Sequence, residues 1–122
     1  MFSIDPDKRA KELHSLISPP MAQNFVTIAV LTTENETVII GTNERKLRKK
    51  QVEALLENEI EAQIKEDKHA EEKVIQKALE MGLKGKEIGA SRPICLDCED
   101  LIKEESILPK TELKGKKSKK RQ

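Results

Sequence analysis

The chain has 122 residues, which suits a single domain built around one hydrophobic core. Charged residues make up 37% of it, and because 23 basic residues are offset by 22 acidic ones, the formal net charge of +1 indicates no particular partner. No apolar run approaches the roughly 20 residues that span a bilayer. Residues 1–13 lack the apolar stretch of a secretory signal, so we expect a soluble protein without a membrane partner.

The first predicted element is a helix over residues 5–17. Apolar residues recur there at helical spacing, and two prolines then end the pattern. His14 lies within this helix and is interpreted as a packed or surface histidine rather than a ligand. Only Phe2 and Phe25 are aromatic, so the core must be built from aliphatic side chains.

Two β-rich runs follow, at residues 25–31 and residues 37–40, and a polar segment separates them. Their β-branched and apolar composition predicts a hairpin. Asn43, just after the second run, is typical of a turn. Residues 46–64 are charged but punctuated by apolar residues at helical spacing, which predicts one helix or two short ones.

The second half of the sequence predicts helix, strand, helix and strand in turn. The first helix covers residues 69–82, and a strand over residues 87–90 leads into a second helix that ends near Glu104. Residues 106–109 predict a short edge strand, because proline limits its hydrogen bonding. Together these elements predict an α/β domain over residues 1–113 with a mixed sheet of about four strands.

The C-terminal residues differ from the rest in charge. Residues 114–122 contain six basic residues and no acidic one, so residues 1–113 carry 17 basic and 22 acidic residues, a net charge of −5. Such a run is most often a disordered, solvating tail, and we predict that state for it. The alternative is nonspecific attraction to phosphate, which salt weakens.

Four residues of the second half form a set with a specific chemistry: His69, Glu71, Cys95 and Cys98. Zn²⁺ prefers imidazole nitrogen and thiolate sulfur, and three protein ligands leave the fourth tetrahedral position open, as in catalytic sites. Glu71 lies two residues after the histidine, so its carboxylate can face that open position and carry protons. A C-x-x-C pair alone also occurs in redox sites and zinc ribbons, but the upstream H-x-E motif favours a catalytic zinc site.

The H-A-E motif at residues 69–71 and the P-I-C-L-D-C motif at residues 93–98 resemble the signature of the zinc-dependent cytidine deaminase superfamily. The resemblance implies a three-layer α/β/α sandwich, a Zn²⁺ cofactor, and hydrolytic conversion of cytosine to uracil in nucleic acid, with DNA favoured. The sequence departs from the family pattern at Ile94, which separates the proline from the first cysteine.

A narrower resemblance covers residues 89–95 together with residues 41–44 and Leu47-Arg48, which look like the short deaminase domains at the C-termini of bacterial polymorphic toxins. This implies delivery by a secretion system as part of a larger toxin and activity in the target-cell cytoplasm. It also implies a cognate immunity protein. We expect the domain to act as a monomer.

The resemblance also implies a set of substrate contacts. An asparagine near the end of the second strand contacts the nucleotide sugar or phosphate in that family, and Asn43 matches it. Further contacts are expected beside the metal ligands, at Ala70, Ser91, Arg92 and Pro93. Taken without the resemblance, Asn43 is a turn residue, Ser91 a loop serine and Arg92 a surface arginine.

Other functions stay open at this point. A deaminase of free nucleosides or nucleotides is one alternative, and a stable oligomer would favour it, because such enzymes usually complete their pocket between subunits. A noncatalytic zinc domain that binds a partner through its basic tail is another. Scarce aromatic residues argue against tight stacking of single-stranded bases. The sequence does not distinguish cytosine from adenine as the target.

Overall fold

The computed structural model describes residues 4–114, which form a mixed α/β fold with a five-stranded sheet and four α-helices. The helices are α1 (Pro6–His14), α2 (Lys49–Glu53), α3 (Ala70–Glu80) and α4 (Leu96–Glu104), and a short 3₁₀ helix spans Pro20–Asn24. The strands are β1 (Ile28–Thr33), β2 (Val38–Thr42), β3 (Glu59–Glu61), β4 (Gly85–Ala90) and β5 (Leu108–Pro109). None of these helices combines the length and the apolar character needed to cross a bilayer.

The sheet has the strand order β3-β2-β1-β4-β5. Its central strand β1 pairs antiparallel with β2 and β4, so that Val30 lies between Ile40 and Gly89. The two outer pairs, β2 with β3 and β4 with β5, are parallel. The predicted hairpin is therefore confirmed, and the sheet is mixed as expected.

Helices cover both faces of the sheet. Side chains alternate between the faces of a strand, so in β1 Ile28 and Val30 pack toward α1 in one core cluster. Ala29 and Leu31 pack toward α3 and α4 in a second cluster. This alternation explains why β1 is apolar along most of its length: both of its faces are buried.

Helix α1 follows the expected capping pattern and packs closely on the sheet. The side chain of Asp5 accepts hydrogen bonds from the backbone N–H groups of Asp7 and Lys8, and Pro6 occupies the first turn. The start of this helix lies directly against Gly89, where a Cβ atom would collide with backbone atoms of Pro6 and Asp7. The glycine therefore permits the close approach of α1 to β4.

The predicted helical stretch over residues 46–64 is wrong in its second half. Helix α2 has only five residues, and Ile60 lies instead in β3, where it pairs with Ile39. The strand forms because it covers the edge of β2 and because Glu59, which is buried, accepts two hydrogen bonds from Arg9 at 2.8 and 2.7 Å. The sheet consequently has five strands rather than about four.

The C-terminal part of the fold begins as predicted. Strand β5 is a two-residue edge strand, and the chain then pairs Leu113 with Ile94 in an isolated parallel bridge. Lys114, the first residue of the predicted disordered tail, donates its backbone N–H to the Ile94 carbonyl at 2.6 Å. The rest of that tail, residues 115–122, lies outside the described residues.

Candidate metal centre

The three predicted ligands lie at the starts of two helices. His69 directly precedes α3, Cys95 directly precedes α4, and Cys98 lies in the first turn of α4. The start of α3 is fixed by its own sequence, because the Glu72 carboxylate accepts a hydrogen bond from the His69 backbone N–H at 2.9 Å. Both helix N-termini therefore lie beside the same point, where their dipoles favour negatively charged ligands.

Ile94, the residue that departs from the family pattern, has a clear structural place. Its side chain is fully buried in the core beneath α3 and α4. Its N–H donates to the Glu112 carbonyl at 3.0 Å, and its carbonyl accepts from Lys114. The additional residue therefore anchors the segment before Cys95 to the chain that follows β5, and both cysteines still reach the site.

The side chains of His69, Cys95 and Cys98, here the metal triad, form a group that could hold a metal ion, with ligand atoms all within 4.8 Å of one another. The Nδ1 atom of His69 lies 3.3 Å from Cys95 Sγ and 3.2 Å from Cys98 Sγ, and the two sulfurs are 3.6 Å apart. Ligands placed tetrahedrally at about 2.1 and 2.3 Å from zinc are about 3.6–3.8 Å from each other. The triad is tighter than that ideal by a few tenths of an ångström and fits a single ion.

The sulfurs do not form a disulfide. Their 3.6 Å separation far exceeds the S–S bond length of about 2.05 Å, and both cysteines are free and buried. Burial raises the pKa of the Cys98 thiol, and the charge of the nearby Glu71 raises it further. A thiol in that position becomes a thiolate when a cation takes the place of its proton, so metal binding and deprotonation are coupled.

Glu71 lies in the first turn of α3 and lines the cleft that contains the triad. Its side chain is almost fully buried, and this burial raises its pKa to about 7, although a backbone hydrogen bond and the charge of Arg92 act in the opposite direction. A carboxyl with that pKa exists in both protonation states near neutral pH, which suits a group that accepts and returns a proton.

Most of the predicted site residues share one cleft of about 840 Å³. Those that line it are Asn43, His69, Ala70, Glu71, Arg92, Pro93 and Cys95. Cys98 lies beneath its floor, fully buried. Ser91 does not line the cleft: its hydroxyl accepts a hydrogen bond from the Ile28 N–H at 2.9 Å and so joins the ends of β1 and β4.

Asn43 and Arg92 both hold the segment that precedes β1. The Asn43 side chain accepts from the Thr27 N–H and donates to the Phe25 carbonyl, each at 3.0 Å. Arg92 donates from Nε to the Thr27 hydroxyl at 2.8 Å and from Nη1 to the Asn24 carbonyl at 2.6 Å. These bonds shape one wall of the cleft, and direct contact of either side chain with substrate stays a prediction.

Phe25, one of the few planar side chains that could hold a base, lines the cleft and is 64% exposed. Two other wall residues were not among the predicted substrate contacts. Thr27 accepts a hydrogen bond from the guanidinium of Arg92. Lys114 lines the cleft, where its backbone hydrogen bond to the Ile94 carbonyl holds it. A local motif could not have identified Thr27 or Lys114, because each reaches the cleft through pairing with a distant segment.

No protein-family model, curated protein or solved structure matches this chain. The geometry of the site therefore carries the functional assignment.

Proposed function

We propose that this chain is a zinc-dependent hydrolytic deaminase that converts cytosine to uracil in nucleic acid, with DNA favoured. The observation that carries the proposal is the convergence of the metal triad in one cleft with the buried carboxyl of Glu71. A sheet with helices on both faces, and with both ligand-bearing helices on one face, supports a deaminase-like α/β/α sandwich.

Zinc is the proposed ion because one imidazole and two thiolates form a donor set that suits it, whereas magnesium and calcium prefer oxygen. When bound, zinc supplies Lewis-acid activation of water near neutral pH. Three protein ligands leave a fourth position accessible, which separates a catalytic site from a closed structural one.

Glu71 is the proposed proton carrier. It accepts one proton of the attacking water and gives it to the ring nitrogen next to the carbon under attack. It then carries the second proton of that water to the amino group, which leaves as ammonia when the C–N bond breaks. Its burial keeps it from bulk solvent and raises its pKa, which suits a group that takes up and returns a proton. Glu72 serves the helix instead, because its carboxylate accepts from the His69 N–H.

The wall opposite the ion-binding residues would hold the base and its sugar. Phe25 offers an exposed ring for stacking, and Asn43 and Arg92 fix the backbone that carries it. We further propose, from the resemblance of its motifs, that the domain acts as a bacterial toxin. Its immunity protein would then occlude the cleft mouth near Asn43 and Arg92.

Glu71→Ala tests the proposal. The variant should keep its zinc content and its thermal stability, because Glu71 is not a ligand, and deamination should fall by about 10²–10⁴-fold, the usual contribution of a general acid–base group. Uracil is measured after incubation with single-stranded DNA, duplex DNA, RNA and free cytidine.

Each alternative function predicts a different result in that assay. Uracil from free cytidine alone identifies a nucleoside deaminase, and inosine from adenine substrates identifies a different target base. Zinc binding with no product from any substrate, in the native protein as in the variant, identifies a noncatalytic zinc domain and contradicts the proposal.

A further inference from the structure

We propose that residues 45–50, here the basic segment, bind the phosphate backbone of a single-stranded polynucleotide whose target base enters the metal-containing cleft. This inference rests on the proposed function and narrows its substrate class to strands rather than free nucleosides. All but one of the six residues are basic: Arg45, Lys46, Arg48, Lys49 and Lys50.

Within residues 4–114, one cation of the segment has a carboxylate partner. Arg48 donates from Nε and Nη2 to the Glu44 carboxylate at 3.0 and 2.9 Å, and from Nη1 to the Ser18 carbonyl at 3.0 Å. The other basic side chains of the segment are exposed, and no salt bridge joins them to a described residue. Their charges are therefore available to a polyanion.

Stability does not account for this concentration of positive charge. Lys49 is the first residue of α2, where a cation opposes the helix dipole. Neighbouring like charges also repel one another. The buried member of the segment is Leu47, whereas Arg45, Lys46, Lys49 and Lys50 are exposed and lie outside the core. Charge that is unfavourable to the fold and exposed to solvent is explained by a ligand.

The groove beside the basic segment begins one residue after the cleft wall in the chain. Asn43 lines the cleft, and the next residue, Glu44, lines an open groove of about 840 Å³ whose wall includes Arg45, Lys46 and Lys49. A strand whose base occupied the cleft could therefore continue along this groove. Positive charge on such a path attracts phosphates without reading sequence.

Three carboxylates also face the groove, and two of them are already engaged. Glu44 is neutralised by Arg48, and Glu61 accepts a hydrogen bond from the Leu47 N–H at 2.9 Å. The third, Glu53, is exposed at the far end of α2. The groove therefore keeps an excess of available positive charge.

One side chain of α3 links the groove to the helix that carries a predicted metal ligand. Lys73 is buried in α3, the helix whose start carries the histidine ligand, and its Nζ donates to the Glu44 carbonyl at 2.7 Å. This bond holds the start of the basic segment at a fixed place relative to the metal triad. A strand bound along the segment would therefore be held in a defined register with the cleft.

The test compares two triple variants with the same change in charge, both in a Glu71→Ala background so that little substrate is converted during the measurement. One is Arg45→Gln, Lys46→Gln and Lys49→Gln, the exposed cations of the segment that line the groove. The control is Lys84→Gln, Lys86→Gln and Lys110→Gln, which are also exposed but line neither the cleft nor the groove. Binding of a fluorescent single-stranded oligodeoxynucleotide is measured at several salt concentrations.

The segment variant should bind at least about tenfold more weakly than the control at low salt. Each lost phosphate contact on a single strand removes about 0.7 from the slope of log affinity against log salt, so the loss of three groove-lining cations should flatten that slope by about two. Equal affinities and slopes for the two variants overturn the proposal. The proposal is also overturned if the segment changes weaken binding to phosphatidylserine vesicles and leave oligonucleotide binding unchanged.

Deamination is measured separately with each set of three changes in the Glu71-containing protein. The segment variant should lose activity on the oligonucleotide at low concentration and keep its activity on free cytidine. A native protein that binds strands through the segment without forming uracil contradicts the proposed function and leaves the binding surface in place. If the segment changes leave uracil formation from strands unaffected, the binding surface is contradicted and the proposed function is retained.

Discussion

The two faces of the sheet bury polar groups in different ways. On the face covered by α1, polar side chains are matched to protein partners: Arg9 pairs with Glu59, and Gln51 donates to the Leu13 carbonyl at 3.0 Å. On the face covered by α3 and α4, the metal triad converges on one point next to the buried carboxyl of Glu71. The first set of groups is paired within the protein, whereas the second could hold a metal ion.

This difference indicates which buried polar groups serve stability and which serve chemistry. A buried polar group costs free energy unless a partner satisfies it. Where the protein itself supplies the partner, removal of one member should lower stability and leave the site intact. Where a ligand supplies it, removal should abolish ligand binding.

The largest effect is expected from Cys98→Ala. Two remaining ligands cannot hold the ion as three do, and the binding free energy at stake reaches about 10–16 kcal/mol at structural zinc sites. Zinc content, measured by atomic absorption, should fall to background, and a chelator should lower the melting temperature of the native protein but not of the variant. Ile102→Val, a buried change in the same helix, serves as the control and should keep the metal. A Cys98→Ala protein that retains zinc would show that the triad is not the binding site.

On the α1 face, Arg9→Met should lower the free energy of unfolding by about 3–5 kcal/mol, because it leaves the Glu59 carboxylate, whose side chain is 0% exposed, buried without its cation. Urea denaturation measures this loss. Zinc content per folded molecule should not change. The double variant Arg9→Met with Glu59→Met should recover part of the stability, since two packed apolar side chains can replace a buried ion pair. Recovery is incomplete because the Leu56 N–H and the Ala54 carbonyl lose their side-chain partners. Loss of zinc in the single variant would contradict the separation of the two faces.

The elements that the sequence predicted correctly are those that local patterns determine. Helix α1 has its cap at Asp5, and the hairpin of β1 and β2 is formed from β-branched runs. Strand β3 was missed because its pairing depends on distant partners. Its Glu59 is matched by Arg9, fifty residues away in sequence, and no periodicity within residues 46–64 reports that contact.

The residues of the candidate site also differ in how well the local sequence predicts them. Residue type and spacing were enough to predict the metal triad, because His69 and both cysteines lie at helix starts that local sequence specifies. The cleft wall was less predictable. Ser91 was expected to face substrate, yet its hydroxyl accepts from Ile28, a pairing that exists only once β1 and β4 are adjacent. The role of Glu71 as proton carrier stays a prediction.

The smallest expected effect concerns Thr111, which joins α1 to the end of β4. Its hydroxyl donates to Asp7 Oδ1 at 2.6 Å and accepts from the Ala90 N–H at 2.7 Å. Thr111→Val should therefore cost about 1–3 kcal/mol of unfolding free energy near neutral pH, because it leaves a buried N–H without its partner. Thr111→Ser, which keeps the hydroxyl, is the matched control.

The same variant should also change the acid sensitivity of the fold. Burial alone would raise the pKa of Asp7, but the hydrogen bonds from Thr111 and Lys11 bring it below its ordinary value of 3.8. An acid whose pKa is lowered by folding stabilises the protein above that ordinary value, and the contribution disappears as pH falls through the folded-state pKa. Without the Thr111 hydroxyl the pKa of Asp7 rises, so the stability gap between native and Thr111→Val proteins should narrow below about pH 4. Urea titrations across that range measure the gap, and a gap that is constant with pH would show that Asp7 gains nothing from this bond.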